Sequence, residues 1–157
     1  MKAAVLTISD RAAAGEAKDL TGAGLREALE RRGAQVVELA LIPDEPDSIQ
    51  AALIRLSDEL GADVVFTNGG TGLGPRDVTP EATEAVIERR VPGIAEAMRQ
   101  GSLSKTPRAM LSRATAGVRG RTLIVNLPGS PQGALECLDI VWPVMDHALA
   151  VIAGHGH

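Results

Sequence analysis

The sequence predicts an α/β fold, a three-layer α/β/α arrangement around a mainly parallel but mixed sheet. Three observations predict it. Short apolar runs such as "AAVLTIS" and "ADVVFT" alternate with longer stretches of helical spacing, the order that builds strand–helix–strand units with right-handed crossovers. These runs are largely continuous rather than alternating, as expected of strands covered on both faces. Hydrophobic residues make up 45% of the chain but aromatics only 1%, with one Phe, one Trp and no Tyr, so Val, Leu, Ile and Ala must fill a helix-on-sheet interior.

Each element follows in order. Ala3 to Ser9 reads as the first strand. After a polar loop with Gly15 and Asp19, "LTGAGLREALERRG" places Leu25, Ala28 and Leu29 on one helical face and stops at Gly33, a natural left-handed C-cap. "AQVVELALI" is the second strand, closed by "PDEPD". Asp47 and Gln50 are then expected to form the capping box of a helix through "SIQAALIRLSDELG". "ADVVFT" is the third strand. Thr79 as N-cap and Pro80 at N1 predict a helix through "EATEAVIERR", Pro92 opens another through "GIAEAMRQG", and "TPRAMLSR" reads as a further short helix. Ala114 to Arg119 and Arg121 to Leu127 read as a hairpin turned by Gly120, which makes the sheet mixed. Ser130 and Pro131 cap a last helix carrying Leu135, Leu138, Val141 and Trp142 toward Ile152, with a bend expected at Pro143. With no repeat, linker or low-complexity tract, a single domain is expected over residues 1–153, followed by a frayed tail at 154–157.

Several function classes are excluded by composition. The net charge is -4 and the basic residues sit in mixed-sign clusters such as "LREALERR", which argues against nucleic-acid binding through a basic face. A small phosphorylated ligand needs only a few local donors and stays open. No stretch approaches the roughly 18 apolar residues of a membrane span, and "MKAAVLTISD" is too short and weakly basic for a signal peptide, so a cytoplasmic protein is expected. The lone Cys137 excludes an intramolecular disulfide and reads as a buried small hydrophobe. His147, His155 and His157 have no ligand-like spacing.

In open α/β sheets, ligands bind beyond the carboxyl ends of the parallel strands. Three such ends carry unusual sequences: Ser9 and Asp10, "NGGTGLGPRD", and "NLPGSP". In the second, Gly69, Gly70, Thr71 and Gly72 offer backbone N–H groups that an anion can approach closely. The loop is neither a Walker A loop, since no Gly-Lys-Ser/Thr follows, nor a dinucleotide fingerprint, since the helix begins only after Arg76 and Asp77. Tight turning alone is the plain alternative. Pro128, Gly129 and Ser130 likewise offer amides and a hydroxyl at a helix start, although an ordinary β-to-α turn looks the same.

Asp77 adds a conflict, because a carboxylate beside a phosphate site repels the ligand unless a cation intervenes. A Mg²⁺ ion held by one or two carboxylates plus phosphate oxygens resolves it. Asp44, at the end of the second strand, is the candidate partner; alternatively it is an ordinary residue of the Pro-Asp-Glu-Pro turn, solvent-facing and of little use to the core. Arg76 pairs either with phosphate or with neighbours of Asp77, and Ser102 and Ser112 either donate to a ligand or cap helices.

"TNGGTGLGPRDVTPEAT", "IPDE", "TPRAMLSRATAGVRG" and "NLPGSPQGALECL" closely resemble the MogA/MoaB family of molybdenum-cofactor proteins, which includes the gephyrin G domain. The resemblance runs from Val5 to about Ile152. It implies an α/β/α domain, usually a homotrimer, with a hexamer of paired trimers as the alternative assembly. The implied activity is transfer of AMP from ATP to the terminal phosphate of molybdopterin, with release of pyrophosphate. It maps two essential aspartates onto Asp44 and Asp77, where Mg²⁺ on ATP is held, and substrate contacts onto the "GGTG" loop, Ser102, Ser112 and the "PGSP" loop. "ISDR" and "DLTG" match a further family motif, with Thr21 where Ser is usual, a change that keeps the hydroxyl. Molybdopterin and ATP are the implied ligands, and a molybdenum-insertion protein is the implied downstream partner. Two other readings stand beside this one: a non-catalytic molybdopterin-binding or scaffold protein, and a nucleotide hydrolase.

Overall fold

The computed structural model describes residues 1–155; His157 and the end of the expected frayed tail lie outside them. Among the described residues, six strands form one sheet in the order β2-β1-β3-β6-β5-β4. β1 (Lys2–Ile8), β2 (Gln35–Ile42), β3 (Val64–Asn68) and β6 (Thr122–Leu127) are mutually parallel, whereas β5 (Ala116–Arg119) runs antiparallel to β6 and the edge strand β4 (Arg89–Arg90) antiparallel to β5. The sheet is therefore mixed, as expected.

Successive side chains of a strand point to opposite faces, and the core divides accordingly. Ala3, Val5, Val64, Phe66, Leu123 and Val125 pack on one face with α2 (Leu20–Arg31), α5 (Pro92–Leu103) and α6 (Pro131–Val141). Ala4, Leu6, Ile8, Val65 and Ile124 pack on the other with α3 (Pro46–Ile54) and α4 (Thr79–Val86). Phe66 is fully buried at the centre, so aliphatic side chains do fill the three layers. A short α1 (Asp10–Ala13) follows β1. At the C-terminal end a 3₁₀ turn at Trp142–Val144, containing Pro143, separates α6 from α7 (Met145–Ile152). Pro143 lacks the N–H that a continuous helix would use there.

Three local expectations are corrected. No Asp47–Gln50 capping box opens α3. Pro46 takes the first helical position, Glu45 is the N-cap, and no side chain caps it; Pro46 sets the helical φ one residue before Asp47. Thr79 is the first residue of α4 rather than its cap, which is Val78, and its hydroxyl donates instead to the Gly69 carbonyl. That helix also stops at Val86 rather than running through Arg90. Ile87 is extended, and Glu88 and Val91 donate to the Val118 and Ala116 carbonyls, so the basic pair becomes an edge strand. Sheet pairing there overrides a good local helix pattern.

Candidate functional site

Because β1, β2, β3 and β6 are parallel, the loops after all four leave from the same edge of the sheet. The chain passes from β1 outward to β2 and then back across β1 to β3, which makes the β1/β3 boundary a topological switch point where loops diverge and leave a crevice. Ser9 and Asp10 follow β1, Asp44 follows β2, the glycine loop follows β3, and Pro128–Gly129–Ser130 follow β6.

The glycine loop is held from both sides. Gly69 and Gly70 have φ of +97° and +68°, values that residues with a Cβ adopt only under strain. A Cβ on Gly69 would also overlap the Ile8 carbonyl of the neighbouring strand, and one on Gly70 would press on Thr79 and Asp44. Gly69 N–H donates to the Leu127 carbonyl at 3.2 Å, and Thr79 closes the loop with its hydroxyl on Gly69 O at 2.9 Å and its amide on Gly70 O at 3.1 Å. The first two glycines therefore satisfy tight turning. Gly72 has no such φ, and its missing Cβ leaves room for Asp77, whose Oδ2 would lie 2.9 Å away.

Two cavities of about 430 Å³ each adjoin this loop. The first is polar and acidic. Ser9, Asp44, Asn68, Gly69, Gly70, Asp77 and Gly129 line it, with Asp19 and Thr21 at the start of α2. Asp44 is only 9% exposed, which corrects the expectation of a solvent-facing turn residue. Its Oδ2 accepts the Asp10 amide and its own amide donates to Asp10 Oδ1, both at 2.9 Å, so the β1 and β2 loops lock reciprocally. Burial above all raises the Asp44 carboxyl above its ordinary value, and the Asp10 and Asp77 carboxylates push the same way. Asp77 folds back so that its Oδ2 accepts the Gly74 amide at 2.9 Å.

One oxygen on each of Asp44 and Asp77 therefore has no donor among the described residues. No group of three or more His, Cys, Asp or Glu among the described residues forms a metal cage. The donor set nevertheless fits Mg²⁺, which takes one or two carboxylates and completes its octahedron with phosphate and water oxygens. The mutual repulsion of two carboxylates facing one cavity is what such an ion relieves.

Arg76 and Asp10 line neither cavity and are occupied with each other. Arg76 Nε donates to Asp10 Oδ2 at 3.0 Å and Nη2 to Glu45 Oε1 at 2.6 Å. The guanidinium, and after it the Asp44 amide, hold the Asp10 carboxyl below its ordinary value. Of the two partners left open for Arg76, the structure thus gives it neighbouring acids.

The second cavity is mainly apolar. Leu73, Ala95, Met98 and Leu111 line it together with Thr71, Gly72, Ser102, Ser112, Pro128 and Ser130. Ser130 Oγ caps α6 by accepting the Gly133 amide, and Ser112 Oγ accepts the Ala114 amide at 3.3 Å, so both hydroxyls still have a proton to donate. Ser102 Oγ lies 3.7 Å from the buried Cys137 sulfur, whose thiol is raised above its ordinary value by burial.

Apart from Asp10 and Arg76, the residues anticipated from the sequence thus fall into two adjoining groups divided by the Gly70–Thr71 and Gly129–Ser130 backbones. Sequence reading noted the Thr21 hydroxyl only as part of a family motif, without its partner, and missed the other supports. Thr21 Oγ1 donates to the Gly129 carbonyl at 2.7 Å, and Asn126 Nδ2 ties Thr67 to Thr83, each at 3.0 Å, beneath the rim. Arg113 reaches the glycine loop from the segment before β5, donating to Gly72 O at 2.8 Å. A polar residue closing an apolar strand run, such as Asn126 in "LIVNL", is the one local signal of such a role.

Residues 4–147 match the family model described as a probable molybdopterin binding domain. A molybdopterin adenylyltransferase of Helicobacter pylori is 43% identical over 153 residues, spanning 96% of this chain and 87% of that protein. The solved structure of the molybdopterin biosynthesis enzyme MoaB from Thermus thermophilus superposes with a TM-score of 0.92 at 52% identity, covering 98% of this chain and 96% of that one. The tungsten cofactor synthesizing protein MoaB from Pyrococcus furiosus superposes at 0.84 with 29% identity, covering 99% and 97%.

Proposed function

The chain belongs to the MogA/MoaB family of probable molybdopterin binding domains, and on that premise we propose that it acts in molybdenum-cofactor biosynthesis as a Mg²⁺-dependent molybdopterin adenylyltransferase. A terminal phosphate oxygen of molybdopterin attacks the α-phosphorus of ATP, the bond from that phosphorus to the bridging β-phosphate oxygen breaks, and pyrophosphate leaves. The observation that carries the reading is the pair Asp44 and Asp77, lining one cavity beside a glycine loop that also borders a second.

Phosphoryl-type transfer needs little covalent chemistry from the protein; alignment and charge stabilisation supply most of the rate. Asp44 and Asp77 would hold Mg²⁺, whose charge would offset that of the reacting phosphates. The chain's own residues do the rest. Gly70, Thr71, Gly72 and Leu73 have amides that meet no acceptor among the described residues and serve as donors to phosphate oxygens. Ser9, Gly69 and Gly129 belong to the acid-lined wall, while Ser102, Ser112, Pro128 and Ser130 belong to the apolar one, so two substrates can meet across the shared backbone ridge. Asp10 and Arg76 act around this site by holding the β1, β2 and β3 loops together. A homotrimer in the cytoplasm, feeding a molybdenum-insertion protein, is part of the same proposal.

The relatives named as adenylyltransferases and the presence of both aspartates in one cavity favour the enzyme over a non-catalytic binder. The test is incubation with ATP, molybdopterin and Mg²⁺, following pyrophosphate and adenylylated product, alongside calorimetric titration of ATP with Mg²⁺ and with chelator. Product formation and Mg²⁺-dependent ATP binding are expected. Pterin binding without ATP binding would leave the scaffold reading, and pyrophosphate or phosphate release without molybdopterin would point to a hydrolase.

A further inference from the structure

Arg113 makes four kinds of contact with one short stretch of chain. Its amide donates to the Thr71 carbonyl at 2.9 Å. Its guanidinium donates from Nε to Gly72 O at 2.8 Å, from Nη2 to Asp77 O at 2.7 Å, and from Nη1 to both carboxylate oxygens of Glu81 at 2.8 and 2.7 Å. Each face of the fork is thus committed. Glu81, in the first turn of α4, fixes the plane of the guanidinium, and the two loop carbonyls accept from its remaining edges.

The consequence follows from peptide geometry. No peptide bond among the described residues is cis, and in a trans peptide the N–H points opposite to the C=O of the same plane. With the Thr71 and Gly72 carbonyls drawn toward Arg113, the amides of Gly72 and Leu73 must point away from it. Thr71, Gly72 and Leu73 line the apolar cavity, whereas Arg113 does not. Neither amide meets an acceptor among the described residues, so both are free to donate to a group bound in the cavity.

We propose that Arg113 is a positioning residue, holding the Thr71, Gly72 and Asp77 carbonyls on the far side of the loop so that the Gly72 and Leu73 amides face the cavity as phosphate donors. The inference rests on the proposed function only in naming the phosphate's source, ATP or molybdopterin. Lysine cannot replace the arginine here, because a single ammonium cannot hold two carbonyls and a bidentate carboxylate in one plane. Leaving Gly72 as glycine then serves Asp77, while Arg113 sets the direction of the amides.

The test uses the full chain with Arg113→Lys, Arg113→Ala and Glu81→Gln, each checked for folding by circular dichroism and thermal unfolding. ATP, molybdopterin and inorganic pyrophosphate are titrated separately by calorimetry, with adenosine as the phosphate-free control. Arg113→Lys is expected to weaken at least one phosphate-bearing probe about tenfold, identifying the phosphate that sits on the loop, and to leave adenosine unchanged. Glu81→Gln, which retains the arginine but loosens its fork, should show a smaller loss for the same probe. Millimolar guanidinium should restore part of the binding of that probe to Arg113→Ala, which general destabilisation would not allow. Parent-like affinity of Arg113→Lys for every probe, or an equal loss for adenosine, would overturn the inference while leaving the proposed function standing. A parent protein that binds pyrophosphate but neither ATP nor molybdopterin would overturn the function instead. A parent that binds no phosphate-bearing probe would overturn both.

Discussion

Gly69 and Gly72 lie three positions apart in one loop, yet replacing each with Ala should give opposite results. At Gly69, φ is +97° and the new Cβ would overlap the Ile8 carbonyl oxygen, a backbone atom that cannot rotate aside. The left-handed conformation costs about 1–2 kcal/mol for a residue with a Cβ, and relieving the overlap by shifting β1 against β3 adds about 1–3. A loss of roughly 3 kcal/mol is expected. With an unfolding entropy of about 2.1 cal/mol/K per residue, this lowers Tm by about 9 °C for a chain of this size. At Gly72 the φ is not positive, and the Cβ meets only Asp77 Oδ2 at 2.9 Å, the end of a side chain that can swing away. Stability should then change by less than about 1 kcal/mol, since Ala also lowers the entropy of the unfolded chain. Asp77, however, would leave its contact with the Gly74 amide. Gly72→Ala should therefore keep its Tm within about 3 °C and lose adenylyl transfer at least tenfold. Thermal unfolding and a pyrophosphate-release assay on both variants check this. A Gly69→Ala protein melting within 2 °C of the parent, or a Gly72→Ala protein that loses as much stability as Gly69→Ala, would refute the division of the loop into a turning half and a working half.

Three further outcomes are expected. Asp77→Asn should lower adenylyl transfer at least about a hundredfold while molybdopterin affinity, read by calorimetry, stays near the parent value. The Arg55 guanidinium beside Glu38 holds that carboxyl below its ordinary value, so the pair stabilises the fold above the usual glutamate range near pH 4.3 and the contribution disappears as pH falls through the lowered folded-state value. A double-mutant cycle on Glu38 and Arg55 should give less than about 1 kcal/mol at pH 7, because both side chains are partly exposed, and close to zero at pH 2. Light scattering at micromolar concentration should report three times the 16.3 kDa chain mass; a monomer mass would reject the proposed trimer.

Local chemistry made much of this protein legible from its sequence. Unbroken apolar runs announced strands covered on both faces, Gly120 announced the hairpin, and Ser130–Pro131 announced the start of α6, because each depends on a few adjacent residues. The loops at strand ends were legible for the same reason, since their order along the chain and the parallel sheet together place them on one edge. What the sequence left open was decided by contacts between distant residues. Arg89 and Arg90 continue a helical pattern, but pairing with β5 makes them a strand. Asp44 looked like an exposed turn residue and is buried, because the β1 loop supplies the amide its carboxylate accepts. Spacing could not decide between phosphate and neighbours of Asp77 as the partner of Arg76, and Asp10 and Glu45 pair with it from loops 66 and 31 residues away. Arg113, 41 residues beyond Gly72, turns the glycine loop through carbonyls that any sequence would possess. A backbone carbonyl carries no residue identity, so its orientation is written only in the tertiary structure that surrounds it.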